Sequence, residues 1–355
     1  MNLDQKLSEE IMKIKPLDEE AMAQCKNRWD SIAKPLHSLG KLEDHTIRIA
    51  GMTGDVNVRI DKRALIDMCA DNGVVVEGVT QTGQEVTAIV AENFLDCNTS
   101  AALMCKIAGV DLYPYDVGMV RDTRVPRIKT MYGTRNLAKE PAMDREDALL
   151  AILAGIGIVK EKSKEGYEIF ATGEMGIGNT TTSSAVAAVL TGASLEVMVG
   201  RGAGLDSDGL KRKKKAIESG ISVNQPKKND PIDVLSKVGG LDICGLVGVF
   251  LGCAIERKPA LIDGFISGAA ALAAYRICPL AKEYMIATHV SKEFGMRKIL
   301  EELSMEAALN CDMCLGEGTG AISYLPVLDM GLAVYHGLST FEDNGIEAYE
   351  DLSDK

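Results

Sequence analysis

Residues 167–182, YEIFATGEMGIGNTTT, join a short apolar run to a glycine-rich break and then to the start of an alanine-rich segment. The apolar run has the length of a buried β-strand, whereas the alanine-rich segment favours a helix. The glycines at 173, 176 and 178 allow the chain to turn sharply between the two. This order predicts a strand–loop–helix unit.

Similar units follow one another from residue 64 onward. Alternating strands and helices indicate an α/β fold, with a parallel sheet flanked by helices. The other apolar runs predicted to be strands are ALIDMCADNG (64–73), VDLYPYDVGM (110–119), LEVMVGRGAG (195–204), PALIDGFISG (259–268) and YMIATHVS (284–291).

The two ends of the chain lack such runs and favour helices. Asp18 stands before EEAMAQC where a helix N-cap would, and residues 304–309 and 326–335 are also predicted to be helical. We expect residues 1–55 and 301–355 to pack together as a small helical domain, and residues 56–300 to form a large α/β domain. Residues 120–143, rich in Arg, Lys, Pro and Gly, are predicted to form a long loop.

Polar residues end several of the predicted strands. Open α/β sheets bind ligands beyond the carboxyl ends of their strands, where loops and helix N-termini converge. We therefore expect the following residues to lie on one rim of the sheet: Asp71, Asp116, Glu174, Asp263 and Ser291.

Charge and hydropathy exclude several classes of protein. The formal net charge of −12 argues against a nucleic-acid partner, which would require a basic face. The N-terminal segment alternates charged and apolar residues, which is atypical of a signal peptide or membrane anchor. The apolar runs at 246–254 and 265–274 are shorter than a membrane span. We expect a cytoplasmic protein with no membrane partner.

Most of the nine cysteines stand in apolar surroundings, which suits reduced thiols in a protein core. The one tight pair is Cys311 and Cys314. A structural zinc site would need two more ligands at a related spacing, and the four histidines supply none. The pair is predicted to lie in a helix-like run and to pack in the core, with a redox role as the alternative. No metal site is predicted.

Two glycine-rich segments are candidates for binding an anion. In GEMGIGNTTT, backbone N–H groups, Asn179 and Thr180 at a helix start would present donors to a phosphate, although the segment lacks the Gly-Lys-Ser/Thr ending of a Walker A loop. GRGAGLD (200–206) is followed by Lys213 within KRKKK (211–215), which could reach the same ligand. Tight turns and a solvated helix face are the alternatives.

The segment CLGEGTG (314–320) places Glu317 among three glycines. Glycine lets a ligand approach the backbone closely, so this carboxylate could be directed at a bound molecule. The alternative is a surface turn with a solvated charge.

Segments along nearly the whole chain resemble the nicotinate-nucleotide:dimethylbenzimidazole phosphoribosyltransferase family. In order, they are KPLHSLGKLED, MCADNG, QEVTA, GEMGIGNTT, GRGAGLD, NQP, DVLSKVGGLDICGLVG, LIDGFISGAAALAA, HVSKEFG and LGEGTGA. The resemblance implies a Rossmann-like, nucleotide-binding large domain with a parallel sheet, a small domain built from both chain ends, and a homodimer. It also implies a pentosyltransferase that moves phosphoribosyl from nicotinate mononucleotide to 5,6-dimethylbenzimidazole or an analogue. The products would be nicotinate and α-ribazole 5'-phosphate, an α-ribotide used to assemble the nucleotide loop of cobalamin.

The resemblance also implies roles for individual residues. Glu317 would be the general base, and Glu174 would act beside it or orient the nucleotide. The base pocket would contain Thr80, Thr82, Gln84 and Val90. No cofactor or metal is expected, because no pyrophosphate leaves in this reaction. The remaining substrate-binding residues would be Gly176, Gly178, Asn179, Thr180, Gly202, Gly204, Lys213, Asp263, Ser291, Leu315 and Gly316.

Departures from the family pattern leave the identity of the base open. Asn72 stands where the family commonly has histidine, Gly83 where proline is usual, and no glutamine follows Thr87 in the segment 78–90. One alternative is a transferase that uses phenol or p-cresol as one subunit of a heterodimer with a paralogue. Another is a non-catalytic nucleotide-binding paralogue, against which the presence of Glu317 argues.

Overall fold

A parallel five-stranded sheet lies at the centre of the computed structural model, which describes residues 2–202 and 204–350. The strand order is β2-β1-β3-β4-β5, and every adjacent pair is parallel. The predicted α/β fold is confirmed. The strands are β1 (Arg63–Ala70), β2 (Val110–Gly118), β3 (Ile169–Met175), β4 (Ala260–Ile262) and β5 (Met285–Ala287).

Fourteen α-helices surround this sheet in the described residues. Two short 3₁₀ helices, Gly73–Glu77 and Pro279–Tyr284, complete the regular structure. The helices are α1 (Leu3–Ile11), α2 (Glu19–Ser31), α3 (Lys41–Thr53), α4 (Glu85–Leu95), α5 (Ser100–Ala108), α6 (Arg145–Lys164), α7 (Asn179–Thr191), α8 (Leu195–Met198), α9 (Ser207–Asn224), α10 (Pro231–Val238), α11 (Leu241–Ile255), α12 (Phe265–Ile277), α13 (Gly295–Leu303) and α14 (Thr319–Gly337).

The interior strand β1, which lies between β2 and β3, is buried along its whole length, as expected of a parallel strand covered on both faces. Its register places Asp67 beside Gly173 and Met68 beside Glu174 on β3. On one face, α11 packs against α6 through backbone contact. A Cβ on Gly248 would lie 2.0 Å from the carbonyl oxygen of Ile152, so this crossing requires glycine. The register brings the carboxyl ends of β1 and β3 to one rim.

Helices from both ends of the chain contact each other. The rings of Trp29 on α2 and Tyr335 on α14 lie 5.0 Å apart. The backbone N–H of Ala33 donates to Ser339 at 3.0 Å, and Ile32 forms an isolated bridge with Thr340. The division into a small and a large domain stays a prediction, and residues 351–355 of the predicted small domain lie outside the described residues.

Several predicted local features are confirmed. The Oδ1 atom of Asp18 accepts a hydrogen bond from Ala21 at 2.9 Å and caps α2. Residues 326–335 lie within α14, and residues 120–143 contain no α-helix or strand in the structure. Within the described residues, no helix is both long and apolar enough to cross a bilayer.

Two predicted elements are wrong. In the predicted strand 195–204, residues 195–202 contain the short helix α8 and no strand, because a short apolar run is compatible with either element. Ala203 of this segment lies outside the described residues. Residues 304–309 are not helical. Ser304 ends α13 at φ +52°, and the N–H of Leu309 donates to Thr288 at 2.8 Å beside the end of β5.

Candidate active site

A cavity of about 370 Å³ opens at the carboxyl rim of the sheet. The loops that follow β3, β4 and β5 meet there with the turn that precedes α14. The predicted site residues that line it are Thr80, Thr82, Val90, Glu174, Gly176, Gly178, Asn179, Thr180, Gly202, Asp263, Ser291, Leu315, Gly316 and Glu317.

Three predicted site residues, Gln84, Gly204 and Lys213, do not line the cavity. Gln84 lies at the start of α4 and donates to the carbonyl oxygen of Asn72 at 3.1 Å. The neighbouring Gln81 lines the cavity in its place, and its Nε2 donates to the carbonyl oxygen of Gly204 at 2.5 Å. Lys213 lies directly behind the cavity wall. Of the four residues predicted for the base pocket, Thr80, Thr82 and Val90 therefore line the cavity and Gln84 does not.

The start of α7 forms the floor of the cavity. Gly178 is the N-cap residue at φ +94°, and no side chain in the described part of the chain caps this helix. The N–H of Asn179 donates to the carbonyl oxygen of Gly176 at 2.9 Å and closes a tight turn. The N–H of Thr181 donates to Gly178 at 2.9 Å, so within the first three helical residues the N–H of Thr180 is the one that has no acceptor among the described residues and can bind an anion.

Lys213 supplies a buried positive charge beside this helix start. Its side chain comes from α9, and Nζ donates to Oγ1 of Thr180 at 2.8 Å. A Cβ on Gly202 would lie 3.3 Å from the same Nζ, so the absence of a side chain there lets the ammonium reach the cavity wall. Burial lowers the pKa of Lys213 to about 8, and the charge of Glu293 opposes this shift. A buried ammonium is costly unless it is paired with an anion.

The rest of the basic run faces solvent. Lys211 pairs with Asp208 at 2.9 Å, and Lys214 lies 3.7 Å from Glu196. Arg212 donates from Nε to the carbonyl oxygen of Gly78 at 3.0 Å. These contacts are typical of a solvated helix face, in contrast to Lys213.

Glu317 lies in a strained turn immediately before α14. Gly316, Glu317 and Gly318 have φ values of +90°, +55° and +76°, in the left-handed region that side chains seldom adopt. The Oε2 atom of Glu317 accepts a hydrogen bond from Ala101 at 3.3 Å, at the N-terminus of α5. Burial raises the pKa of Glu317, while this N–H opposes the shift. The turn thus holds a partly desolvated carboxylate at the cavity.

Asp263 connects the end of β4 to this turn. Its Oδ1 accepts hydrogen bonds from Gly320 at 2.6 Å and Ala321 at 3.2 Å, and so caps α14. Burial raises the pKa of Asp263, whereas the nearby His289 and the backbone donors oppose the shift. Asp263 therefore fixes the position from which Glu317 projects.

Further carboxyl groups lie below the cavity. Asn179 donates from Nδ2 to Glu174 in a short hydrogen bond and to Asp242 at 3.1 Å. Burial raises the pKa of Glu174, and the charges of Asp67 and Asp242 raise it further. Burial also raises the pKa of Asp242 to about 6. Mutual repulsion and desolvation thus favour protonated carboxyl groups in this cluster.

Sequence reasoning missed charged residues that the structure places at the site. Arg201 and Glu293 line the cavity, and both stand inside motifs quoted above, GRGAGLD and HVSKEFG. Asp67 is fully buried, and its Oδ2 has no hydrogen-bond partner among the described residues. A carboxylate in the middle of an apolar strand was the signal that could have identified it.

Two residues predicted for the same rim have other contacts. Oδ2 of Asp71 accepts from the N–H of Val120 at 2.7 Å. Asp116 pairs with the buried Lys129 at 2.8 Å and caps the backbone at Met119. Both carboxylates anchor the long loop 120–143 and stand outside the cavity.

The prediction for Cys311 and Cys314 is wrong. Both cysteines are exposed and lie in an irregular segment rather than in a helix, and Cys314 lines the cavity. Asp312 between them has φ +52°, and the carbonyl oxygen of Met313 accepts a hydrogen bond from the N–H of Lys292, which keeps the segment extended. Across the part of the chain that the structure describes, no three His, Cys, Asp or Glu residues are grouped to hold a metal ion.

Comparison with known proteins gives consistent results. Residues 14–346 match a family model described as phosphoribosyltransferase. A protein of Acetivibrio thermocellus is 48% identical over 97% of this chain and 99% of its own length. One of Clostridium tetani is 42% identical over 98% of this chain and 97% of its own length. Both are named nicotinate-nucleotide–dimethylbenzimidazole phosphoribosyltransferase.

A solved structure agrees with these relatives. The crystal structure of CobT from Thermus thermophilus superposes with a TM-score of 0.88 at 35% identity. The match covers 93% of this chain and 100% of that one. The likeness therefore extends over most of the chain.

Proposed function

The chain belongs to the nicotinate-nucleotide–dimethylbenzimidazole phosphoribosyltransferase family, and we propose that it transfers phosphoribosyl from nicotinate mononucleotide to 5,6-dimethylbenzimidazole. The products are nicotinate and α-ribazole 5'-phosphate, a building block of the cobalamin nucleotide loop. The observation that carries the proposal is a single cavity lined both by the Glu317 carboxylate and by the uncapped start of α7, which Lys213 backs.

The phosphate of the nucleotide binds at the start of α7. Free N–H groups at a helix N-terminus and the helix dipole both favour an anion. The ammonium of Lys213, one hydrogen bond away at Thr180, supplies the balancing charge. The ribose then extends across the cavity toward the turn at Glu317.

Glu317 acts as the general base. Nicotinate leaves when the bond between its ring nitrogen and the ribose carbon breaks, and the electron pair returns to the ring, which becomes neutral. One nitrogen of the benzimidazole attacks that carbon from the opposite face, and Glu317 accepts the proton of the other nitrogen. Because burial raises the pKa of Glu317, the carboxylate is a stronger base than an exposed glutamate.

Glu174 and the residues around the base have supporting roles. Glu174, which Asn179 holds in a short hydrogen bond, orients the nucleotide beside Gly176. The aromatic base lies among Thr80, Thr82 and Val90 of the cavity lining. The role predicted for Gln84 in binding the base stays a prediction.

We also propose that the active form is a cytoplasmic homodimer. Leu103 and Ile107 on α5 and Met330 on α14 are exposed on helices that contact each other, and their burial in a second copy would remove this apolar surface from water. All nine cysteines are free thiols, which suits a reducing compartment. The relatives reported above carry the benzimidazole name and give no support to the phenol alternative.

The proposal is tested by purifying the chain alone and measuring its mass in solution. Nicotinate mononucleotide is then supplied with dimethylbenzimidazole, or in parallel with phenol and p-cresol, and the ribotides are separated by chromatography. We expect α-ribazole 5'-phosphate as the main product. Equal rates with the phenols, or no activity until a paralogue is added, would contradict the proposal.

A further inference from the structure

Glu293 is a cavity carboxylate that the reaction proposed above does not use. It follows Ser291 at the end of β5, and its backbone N–H donates to Oγ of Ser291 at 3.3 Å. Its carboxylate accepts no hydrogen bond from residues 2–202 or 204–350 in the structure. The other three cavity carboxylates, Glu174, Asp263 and Glu317, each accept at least one.

The carboxylate of Glu293 lies against the glycine turn that follows α8. A Cβ on Gly200 would lie 2.0 Å from Oε2 of Glu293, so the carboxylate occupies the space that a side chain at 200 would fill. Two residues later, Gly202 leaves room for Nζ of Lys213 in the same way. One turn therefore places a negative and a positive charge beside the same part of the cavity.

This arrangement is unfavourable for binding a bare phosphate. Glu293 is the charged group that acts on Lys213, and it stabilises the ammonium in the empty site. A phosphate that binds at Lys213 and the start of α7 must approach a second negative charge. In a partly buried site such like-charge repulsion is only weakly screened. A carboxylate there reduces affinity unless the ligand offers it a donor.

A phosphorylated ribose offers such donors, because its hydroxyl groups can hydrogen-bond to a carboxylate. We propose that Glu293 selects ribose phosphates over inorganic phosphate, by accepting hydrogen bonds from the sugar and repelling the free anion. This inference rests on the proposed function, which places the phosphate beside Lys213. In this proposal, the sugar hydroxyl groups donate to the Glu293 carboxylate, which explains why an acidic residue lines an anion site.

The test measures binding of inorganic phosphate and of ribose 5-phosphate by calorimetry, without relying on activity. In Glu293→Gln, the charge is removed and the shape is kept. We expect inorganic phosphate to bind about tenfold more tightly than to the wild type, because the repulsion is relieved. Ribose 5-phosphate should bind no more tightly than before, because the gain is offset by weaker hydrogen bonds to the sugar.

The matched control is Glu196→Gln. Glu196 is an exposed carboxylate on the neighbouring helix α8, 3.7 Å from Lys214 and outside the cavity. This variant loses the same charge and should bind inorganic phosphate within about twofold of the wild type, because exposed charges are screened. If Glu293→Gln is unstable, Gly200→Ala displaces the carboxylate by its new methyl group and should also tighten phosphate binding.

The outcomes separate this inference from the proposed function. If Glu293→Gln binds inorganic phosphate no more tightly, or gains equally for phosphate and ribose 5-phosphate, Glu293 is not a selector. The variant Lys213→Ala tests whether phosphate binds beside Lys213. Loss of phosphate binding in that variant supports the phosphate subsite, whereas unchanged binding overturns the subsite and with it the basis for a role of Glu293.

Discussion

Two glycine turns in this structure have nearly the same sequence pattern and open a helix in the same way. Gly176-Ile177-Gly178-Asn179 leads into α7, and Gly316-Glu317-Gly318-Thr319 leads into α14. In both, the N–H of the fourth residue donates to the carbonyl oxygen of the first, at 2.9 Å and 3.0 Å. In both, the third residue is a glycine at positive φ and the N-cap of the helix.

The difference lies in the N–H groups of the helix. Those at the start of α14 are capped from outside, because Asp263 accepts from Gly320 and Ala321. Among the described residues, no side chain caps the start of α7. A cap occupies N–H groups that an anion would otherwise bind, and it holds the preceding residue in place. The comparison supports the proposal that one local pattern serves as an anion site or as a rigid support for a carboxylate, depending on whether a neighbouring strand supplies a cap.

The largest expected effect concerns the carboxylate that the second turn supports. Glu317→Gln should reduce kcat about 10²–10⁴-fold, because an amide cannot accept the proton of the incoming base. The fold and the binding of nicotinate mononucleotide should be retained. Turnover with dimethylbenzimidazole is measured beside calorimetry with the nucleotide. Undiminished turnover would remove Glu317 from the mechanism and with it the functional contrast between the turns.

A smaller effect should follow when the cap of α14 is removed. Asp263→Ala leaves the N–H groups of Gly320 and Ala321 without their acceptor and frees the turn at Glu317. We expect kcat to fall about 10²-fold, because a displacement of about 1 Å is sufficient for such a loss. The free energy of unfolding should fall by about 1–2 kcal/mol, as for other lost helix caps. Thermal unfolding and turnover are measured on the same protein.

The control for that change is Asp263→Asn, which keeps an oxygen at the cap. Its kcat should stay closer to that of the wild type than to that of the alanine variant. Equal losses in both variants would indicate that the charge of Asp263 matters more than the cap. The loss of the helix cap would then not explain the fall in kcat.

At the first turn, Lys213→Ala should raise the KM for nicotinate mononucleotide about 10–100-fold, the range expected when a hydrogen bond to a charged group is lost. The kcat should change much less, because a phosphate contact is made in the ground state and in the transition state alike. Lys215→Ala on the same helix is the matched control and should change KM little. A loss confined to kcat would contradict a phosphate ligand.

The smallest expected effect is a pH dependence at the same turn. The pKa of Lys213 is lowered to about 8, so the ammonium is present below that pH and is lost above it. We expect the KM for nicotinate mononucleotide to rise about tenfold at most between about pH 7 and pH 9, because the proton must then be taken up on binding. The KM of Lys213→Ala should not follow this rise. An equal rise in both proteins would assign the titration to another group.

Much of the sheet could be predicted from the sequence, because parallel strands buried on both faces are continuous apolar runs. The segment 195–204 has such a run as well, but it forms the short helix α8 and pairs with no strand among the described residues. Short apolar runs do not distinguish a strand from a helix when pairing decides the outcome. The wrong prediction therefore reflects tertiary pairing that the local sequence does not contain.

The cavity residues in the glycine motifs could be predicted from the sequence. Cavity residues whose position depends on tertiary contacts alone were missed. The two glycine turns are recognisable by their spacing. Glu293 is not, because its importance depends on the space beside Gly200 on a different loop. Gln81 and Gln84 are equally plausible by sequence, and the turn between them decides which one reaches the cavity.

The position of α14 at the end of the fold has a consequence for the synthesis of the protein on the ribosome. Chains emerge from their N-terminus, and domains begin to fold in that order. Thr180 and Lys213 of the proposed nucleotide subsite are synthesised well before the turn at Glu317, which requires α14, the last helix that the structure describes. A nascent or prematurely terminated chain without α14 would therefore lack the carboxylate proposed as the general base.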